Sequence, residues 1–153
     1  RAIEITEEVV AAIRSGEYDF VLVNLSNPDM IGHTGNLDAA IKAIDAMPST
    51  TVLIGGGYDK NADFSEWVSH FPGKVRKLVL IGQTREKIAS ACDAIGFKDY
   101  CFAEDLKEAV QVCASYANKG DFVLLSPACA SWGMFPNYEV RGKIFKDYVN
   151  GLD

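Results

Sequence analysis

Histidine is almost missing from this chain, and cysteine never pairs at short spacing. The two histidines are His33 and His70, and the four cysteines stand at 92, 101, 113 and 129 with no Cys-x-x-Cys step. A zinc site or a disulfide framework would need ligands clustered more closely. The cysteines therefore read as small buried hydrophobes in a reducing, cytoplasmic setting. Cys92 and Cys113 fall on the apolar faces of predicted helices, and Cys101 falls in a short strand. Basic residues are also in short supply: 15 Lys and Arg against 21 Asp and Glu leave a net charge of −6. Phosphate contacts need clustered cations, so no nucleic-acid partner is expected. The run Lys74-Val75-Arg76-Lys77 is short and reads as a solvated loop ahead of a strand. No apolar run approaches the ~18 residues that suggest a membrane helix, so no membrane partner is expected. The first residues carry no signal-peptide pattern, and Arg1 in place of Met reads as the edge of an excised segment.

What is present is a steady alternation of helix and strand. Thr6 can cap a first helix whose Val9, Ala12 and Ile13 form an apolar stripe, ending at Ser15-Gly16. Residues 19–25 form a continuous apolar strand, and Leu37, Ala40, Ile41 and Ile44 follow at helical spacing. Further strands are predicted at 51–54, 77–81, 99–102 and 121–125. The helices between and after them span about 63–71, 84–95, 105–117 and 137–150. Asp105-x-x-Glu108 has the spacing of a capping box. Strands that are apolar throughout, rather than alternating, are covered on both faces. The predicted fold is α/β: a three-layer αβα sandwich around about five mainly parallel strands, Rossmann-like, in a single domain.

Two segments carry chemistry. Asp29 and His33 sit four residues apart in a loop after the strand 19–25, where open α/β sheets place ligands. A carboxylate and an imidazole at that spacing can chelate Mn²⁺ or Zn²⁺, although a solvated loop with an Asp turn explains the spacing as well. The string Asn27-Pro28-Asp29-Met30-Ile31-Gly32-His33-Thr34-Gly35 resembles a metal-binding loop of cofactor-independent (2,3-bisphosphoglycerate-independent) phosphoglycerate mutases, over residues 4–45. The resemblance implies that Asp29 and His33 would ligate one of two Mn²⁺ ions. The family's nucleophilic serine and its remaining metal ligands have no counterpart here. The half-site is thus expected to bind metal weakly and to run no two-metal chemistry.

From residue 47 the likeness changes. Thr51-Val52-Leu53-Ile54-Gly55-Gly56-Gly57-Tyr58-Asp59-Lys60 and Ser126-Pro127-Ala128-Cys129-Ala130-Ser131-Trp132, through Arg141-Gly142, resemble the C-terminal domain of the Mur ligase that adds D-glutamate to UDP-N-acetylmuramoyl-L-alanine. The glycine run has neither dinucleotide-fingerprint nor Walker A spacing. The resemblance implies that Lys60, Ser131 and Tyr138 hold D-glutamate. An ammonium and a hydroxyl suit a carboxylate, and peptide N–H groups around Ser131-Trp132 can add donors. Capping and packing at the start of the last helix explain Ser131 and Tyr138 equally well. The family holds ATP mainly on a separate central domain, so an ATP site is expected to be absent. In place of the family's Asn-Asp-Ser-Lys-Ala-Thr type loop stands Asn24-Leu25-Ser26-Asn27-Pro28-Asp29.

Three functional expectations follow. The first is a non-catalytic composite domain, assembled by design or recombination, with 1–46 mutase-like and 47–153 ligase-like and no catalytic residue or required cofactor. The second is a Mur ligase C-terminal domain, of peptidoglycan biosynthesis, that keeps D-glutamate binding. The third is a metal-dependent phosphoryl-transfer module. Self-association through an exposed edge strand is the remaining partner considered.

Overall fold

Strand β1 (Thr51–Gly55) is apolar apart from Thr51 and buried at every position, because it has a strand on each side and helices on both faces. In this computed structural model, residues 37–152 are described, together with Ala11 and Ser15, which are helical and exposed. The remaining elements run α1 (Asp38–Ala46) ahead of β1, then α2 (Ser65–Ser69), β2 (Val75–Leu80), α3 (Arg85–Ala94), β3 (Tyr100–Phe102), α4 (Leu106–Tyr116), β4 (Phe122–Leu125) and α5 (Tyr138–Asn150).

The described sheet has four strands in the order β3-β2-β1-β4, and each pairing is parallel. The α/β sandwich expected from the sequence is thus observed. The expected strand at 19–25 lies outside the described residues. Both sides of β1 are occupied, so a further strand has only the outer edges of β3 and β4 to join.

Side chains on a strand alternate between faces, and here the alternation sorts the core into two layers. Leu53, Leu78, Leu80 and Leu124 pack with Ile44 of α1, Trp67 and Phe71 at α2, and Ile88 and Cys92 of α3. Val52, Ile54, Val79, Ile81 and Leu125 pack with Leu106, Val110 and Cys113 of α4 and Phe145 of α5. The predicted stripe Leu37, Ala40, Ile41 and Ile44 is buried against the first layer. Lys74 ties α1 down further, its Nζ donating to Asp45 O at 3.1 Å and Met47 O at 3.2 Å.

Two expectations need correction. Residues 74–77 are not a solvated loop: β2 begins at Val75, two residues ahead of the expected strand start at Lys77, and Val75 pairs with Thr51 of β1. The polar start of β2 is accommodated because Arg76 reaches past β1 to Asp121, Nε donating to Oδ2 at 2.8 Å. Helix α2 is also shorter than the predicted 63–71. Asp63 Oδ1 accepts both the N–H and the hydroxyl of Ser65, at 2.9 and 2.7 Å, which starts the helix two residues late.

Candidate functional site

Three loops leave the C-terminal ends of β1, β2 and β4 and meet above the sheet, where an α/β fold places its ligands. The first is Gly56 to Asn61, the second Ile81 to Thr84, and the third Ser126 to Phe135. Their apposition is a matter of backbone hydrogen bonding. Gly56 N donates to Pro127 O at 2.8 Å and Tyr58 N to Ala130 O at 3.0 Å, the latter closing an antiparallel bridge between Tyr58 and Ala130. Gly56 has φ 98° and a Cβ there would collide with Ile81 O; at Gly57 a Cβ would meet Ala130 O at 2.5 Å. Only glycine lets the three backbones approach this closely.

Thr84 closes the junction from the β2 side. Its hydroxyl accepts from Gly57 N at 3.0 Å and lies 3.2 Å from Cys129 Sγ. Burial pushes the Cys129 thiol up to about 12, with the Thr84 contact opposing. The third loop is held from below by Arg141, a buried cation of α5 whose Nη1 donates to Cys129 O at 3.2 Å. That support acts next to Ala128, which holds a left-handed φ of 56°, a conformation disfavoured for a residue with a Cβ.

The loop carrying Lys60 is pinned on either side of it. Asp59 N donates to Gln83 Oε1 at 3.2 Å, and Lys87 of α3 reaches both Asp59 oxygens at 3.2 and 3.3 Å. Asp59 Oδ1 also accepts from Asn61 N at 2.8 Å, and Asn61 takes the left-handed region at φ 61°. Lys60 is half-buried, with Nζ 4.6 Å from the Trp132 ring centroid. Ser131, adjoining that tryptophan, is 3% exposed and its Oγ has no hydrogen-bond partner among the described residues. Its carbonyl accepts from Met134 N and Phe135 N at 3.3 and 2.9 Å. This turn leads to Asn137, which caps α5 by accepting from Val140 N at 2.8 Å. Tyr138, half-buried, opens that helix.

The structure therefore brings Lys60 to the Ser131-Trp132 loop, and it places Tyr138 on the helix that this loop enters. Asp29 and His33 lie outside the described residues, and among those described no group of three or more His, Cys, Asp or Glu could hold a metal ion. His70 is engaged elsewhere, its Nδ1 3.0 Å from Asp45 Oδ1. Sequence reasoning assigned no role to Thr84, Lys87 or Arg141. Thr84 follows a strand in Ile81-Gly82-Gln83-Thr84, and Arg141 lies inside the ligase-like motif, so a positional signal existed for these two but not for Lys87.

The fold and its loop cluster define a Rossmann-like α/β domain with a candidate site at the strand ends. A family model described as the Mur ligase glutamate ligase domain matches residues 29–129, and the chain belongs to that family. A second model, the Metalloenzyme superfamily, matches residues 1–50. The two overlap on 29–50, so the ligase likeness starts ahead of residue 47, where the change of family is expected from the sequence. UDP-N-acetylmuramoylalanine-D-glutamate ligase of Lachnospira eligens is 57% identical over 117 residues, 76% of this chain and 26% of that protein. The same-named proteins of Lachnoclostridium phytofermentans and Caldicellulosiruptor bescii are 56% and 53% identical over the same shares. The chain thus spans about a quarter of the length of these relatives. Among solved structures, UDP-N-acetylmuramate-alanine ligase MurC of Thermotoga maritima is 16% identical with a TM-score of 0.45, covering 82% of this chain and 25% of that one. The ligase family model and the three ligase relatives favour the ligase-domain expectation over the non-catalytic composite domain. No helix among the described residues is long and apolar enough to cross a membrane.

Proposed function

We propose that this chain is the amino-acid-binding domain of a D-glutamate-adding Mur ligase, taking D-glutamate between the loops that follow β1 and β4. Lys60 neutralises one carboxylate, Ser131 donates its hydroxyl to it, and Tyr138 borders the bound amino acid from α5. The work of this domain is to hold and orient the amino acid. Nucleotide and sugar-linked substrate belong to the rest of a protein about three times as long.

The observation that carries this reading is the Ser131 hydroxyl. It is buried, adjoins the residue that Lys60 covers, and lacks a hydrogen-bond partner among the described residues. A hydroxyl left so costs about 1–3 kcal/mol, and such a group in a folded protein calls for a reason. A carboxylate ligand supplies one: it accepts from the hydroxyl while the nearby ammonium meets its charge.

Calorimetric titration of the chain with D-glutamate tests this. Saturable binding is expected, weakened about tenfold or more by Lys60→Met and by Ser131→Ala, since a hydrogen bond to a charged group is worth about 1.5–3 kcal/mol. Ser131→Ala should leave thermal stability equal or raised, because it removes an unpaired buried hydroxyl. Binding that is absent, or equal in the parent and both variants, would overturn the proposal.

A further inference from the structure

The contact between Lys60 and Trp132 joins two loops 72 residues apart in sequence, and it is made at the mouth of the site. Trp132 is 50% exposed and Tyr58 39% exposed, both conspicuous for large aromatic side chains. Their ring centroids lie 6.0 Å apart, tilted at 58°. The Tyr58–Ala130 bridge fixes the two backbones that carry them. Tyr58 thus braces the indole, and the indole takes the Lys60 ammonium at 4.6 Å.

From this geometry we infer that Trp132 is a positioning residue for the carboxylate-binding lysine, and that an acidic amino acid is bound with the Lys60–Trp132 contact kept. The inference rests on the D-glutamate reading and adds a residue to it. Lysine is a flexible point charge, and fixing its side chain on binding costs rotamer entropy. An aromatic face attracts the ammonium through its quadrupole and does so without itself accepting a conventional N–H hydrogen bond. The cost of ordering Lys60 is then met before the ligand arrives, and that is how preorganisation raises affinity. A leucine at 132 would stay apolar but offer no such face.

Lysine-selective NMR and D-glutamate titration of the full chain test the inference together, with W132L, W132F, K60M and the double variant. In the ligand-free parent the Lys60 ε-methylene protons should be shifted upfield by the indole ring current. The shift should vanish in W132L and partly return in W132F. D-glutamate affinity should fall roughly two- to fivefold in W132L, the size of an exposed cation–π contact, and recover in part in W132F. In the K60M background, W132L should have no further effect; a purely structural role for Trp132 would leave one. Binding by the parent that survives W132L unchanged, or an additive double variant, overturns this inference alone. No binding by the parent overturns the D-glutamate reading and this inference with it.

Discussion

Thr84 and Gly57 hold each other by three contacts: the Thr84 hydroxyl accepts from Gly57 N at 3.0 Å and reaches Gly57 O at 3.3 Å, and Thr84 N donates to Gly57 O at 3.1 Å. Thr84 is 1% exposed, so nothing else replaces that hydroxyl if it is removed. Thr84→Val keeps the shape and orphans the Gly57 donor, and a loss of about 1–3 kcal/mol in urea unfolding is expected. Thr84→Ser keeps the hydroxyl and should retain most of the stability. Weaker D-glutamate binding is expected in the valine variant, because Lys60 lies three residues beyond Gly57.

Gly56 makes a sharper test of the loop junction. Its φ of 98° and its approach to Ile81 O leave no room for a methyl group. Gly56→Ala should destabilise by at least about 1–3 kcal/mol from backbone conformation alone. Gly73, with φ 77° and open space around it, should pay the conformational part only. Equal losses at the two positions, measured by thermal unfolding, would show that the close packing of the loops has been misjudged.

The four thiols should react in an order set by burial. Cys92, Cys113 and Cys129 are buried and Cys101 is partly exposed. Burial pushes the Cys92 thiol up to about 12, and the Asp93 charge adds to this. Cys129 is also pushed up to about 12 by burial. Burial raises Cys113 and Cys101 in the same direction. Because the thiolate is the nucleophile, folded protein at pH 8 should be alkylated first at Cys101, with the other three protected until denaturant is added. Mass spectrometry of iodoacetamide-treated protein reads the order directly.

Acid should loosen the base of the sheet through Asp121. Burial opposes its ionisation, but the Asn118 N–H at 2.9 Å and the Arg76 guanidinium at 2.8 Å prevail and hold the carboxyl below its ordinary value. The folded pKa is then below the unfolded value of about 3.9. Ionised Asp121 supports the fold above that pH, and the support is lost as pH falls through the folded value. The urea midpoints of the parent and Asp121→Asn should therefore converge as pH drops from 6 towards 3, with the parent more stable at pH 6.

The sheet was legible because its strands carry their own evidence. Val52, Leu53 and Ile54 are apolar in succession, which only a doubly covered strand tolerates, and all three are fully buried. The capping box was legible too: Glu108 N donates to Asp105 Oδ1 at 2.8 Å. Its return bond goes one residue astray, Glu108 Oε2 accepting from Glu104 N at 2.7 Å. Val75 and Arg76 misled because the early start of β2 is set by Val75 pairing with Thr51 of β1, which local polarity does not report. Lys60 and Ser131 could be named from the ligase-like strings, but not the contact that unites them. That contact depends on the Tyr58–Ala130 bridge, a product of tertiary folding with no local signature. Nothing in Trp132's own neighbourhood points to a lysine 72 residues away.

Amide chemical-shift mapping of the chain titrated with D-glutamate decides whether the amino acid sits between these loops. Saturable shifts confined to Tyr58–Asn61, Ala130–Trp132 and the start of α5 are expected, with the midpoint moved about tenfold or more to higher D-glutamate in Lys60→Met. Shifts that fail to saturate, or that fall on the opposite end of the sheet near Arg76 and Asp121, would contradict that placement.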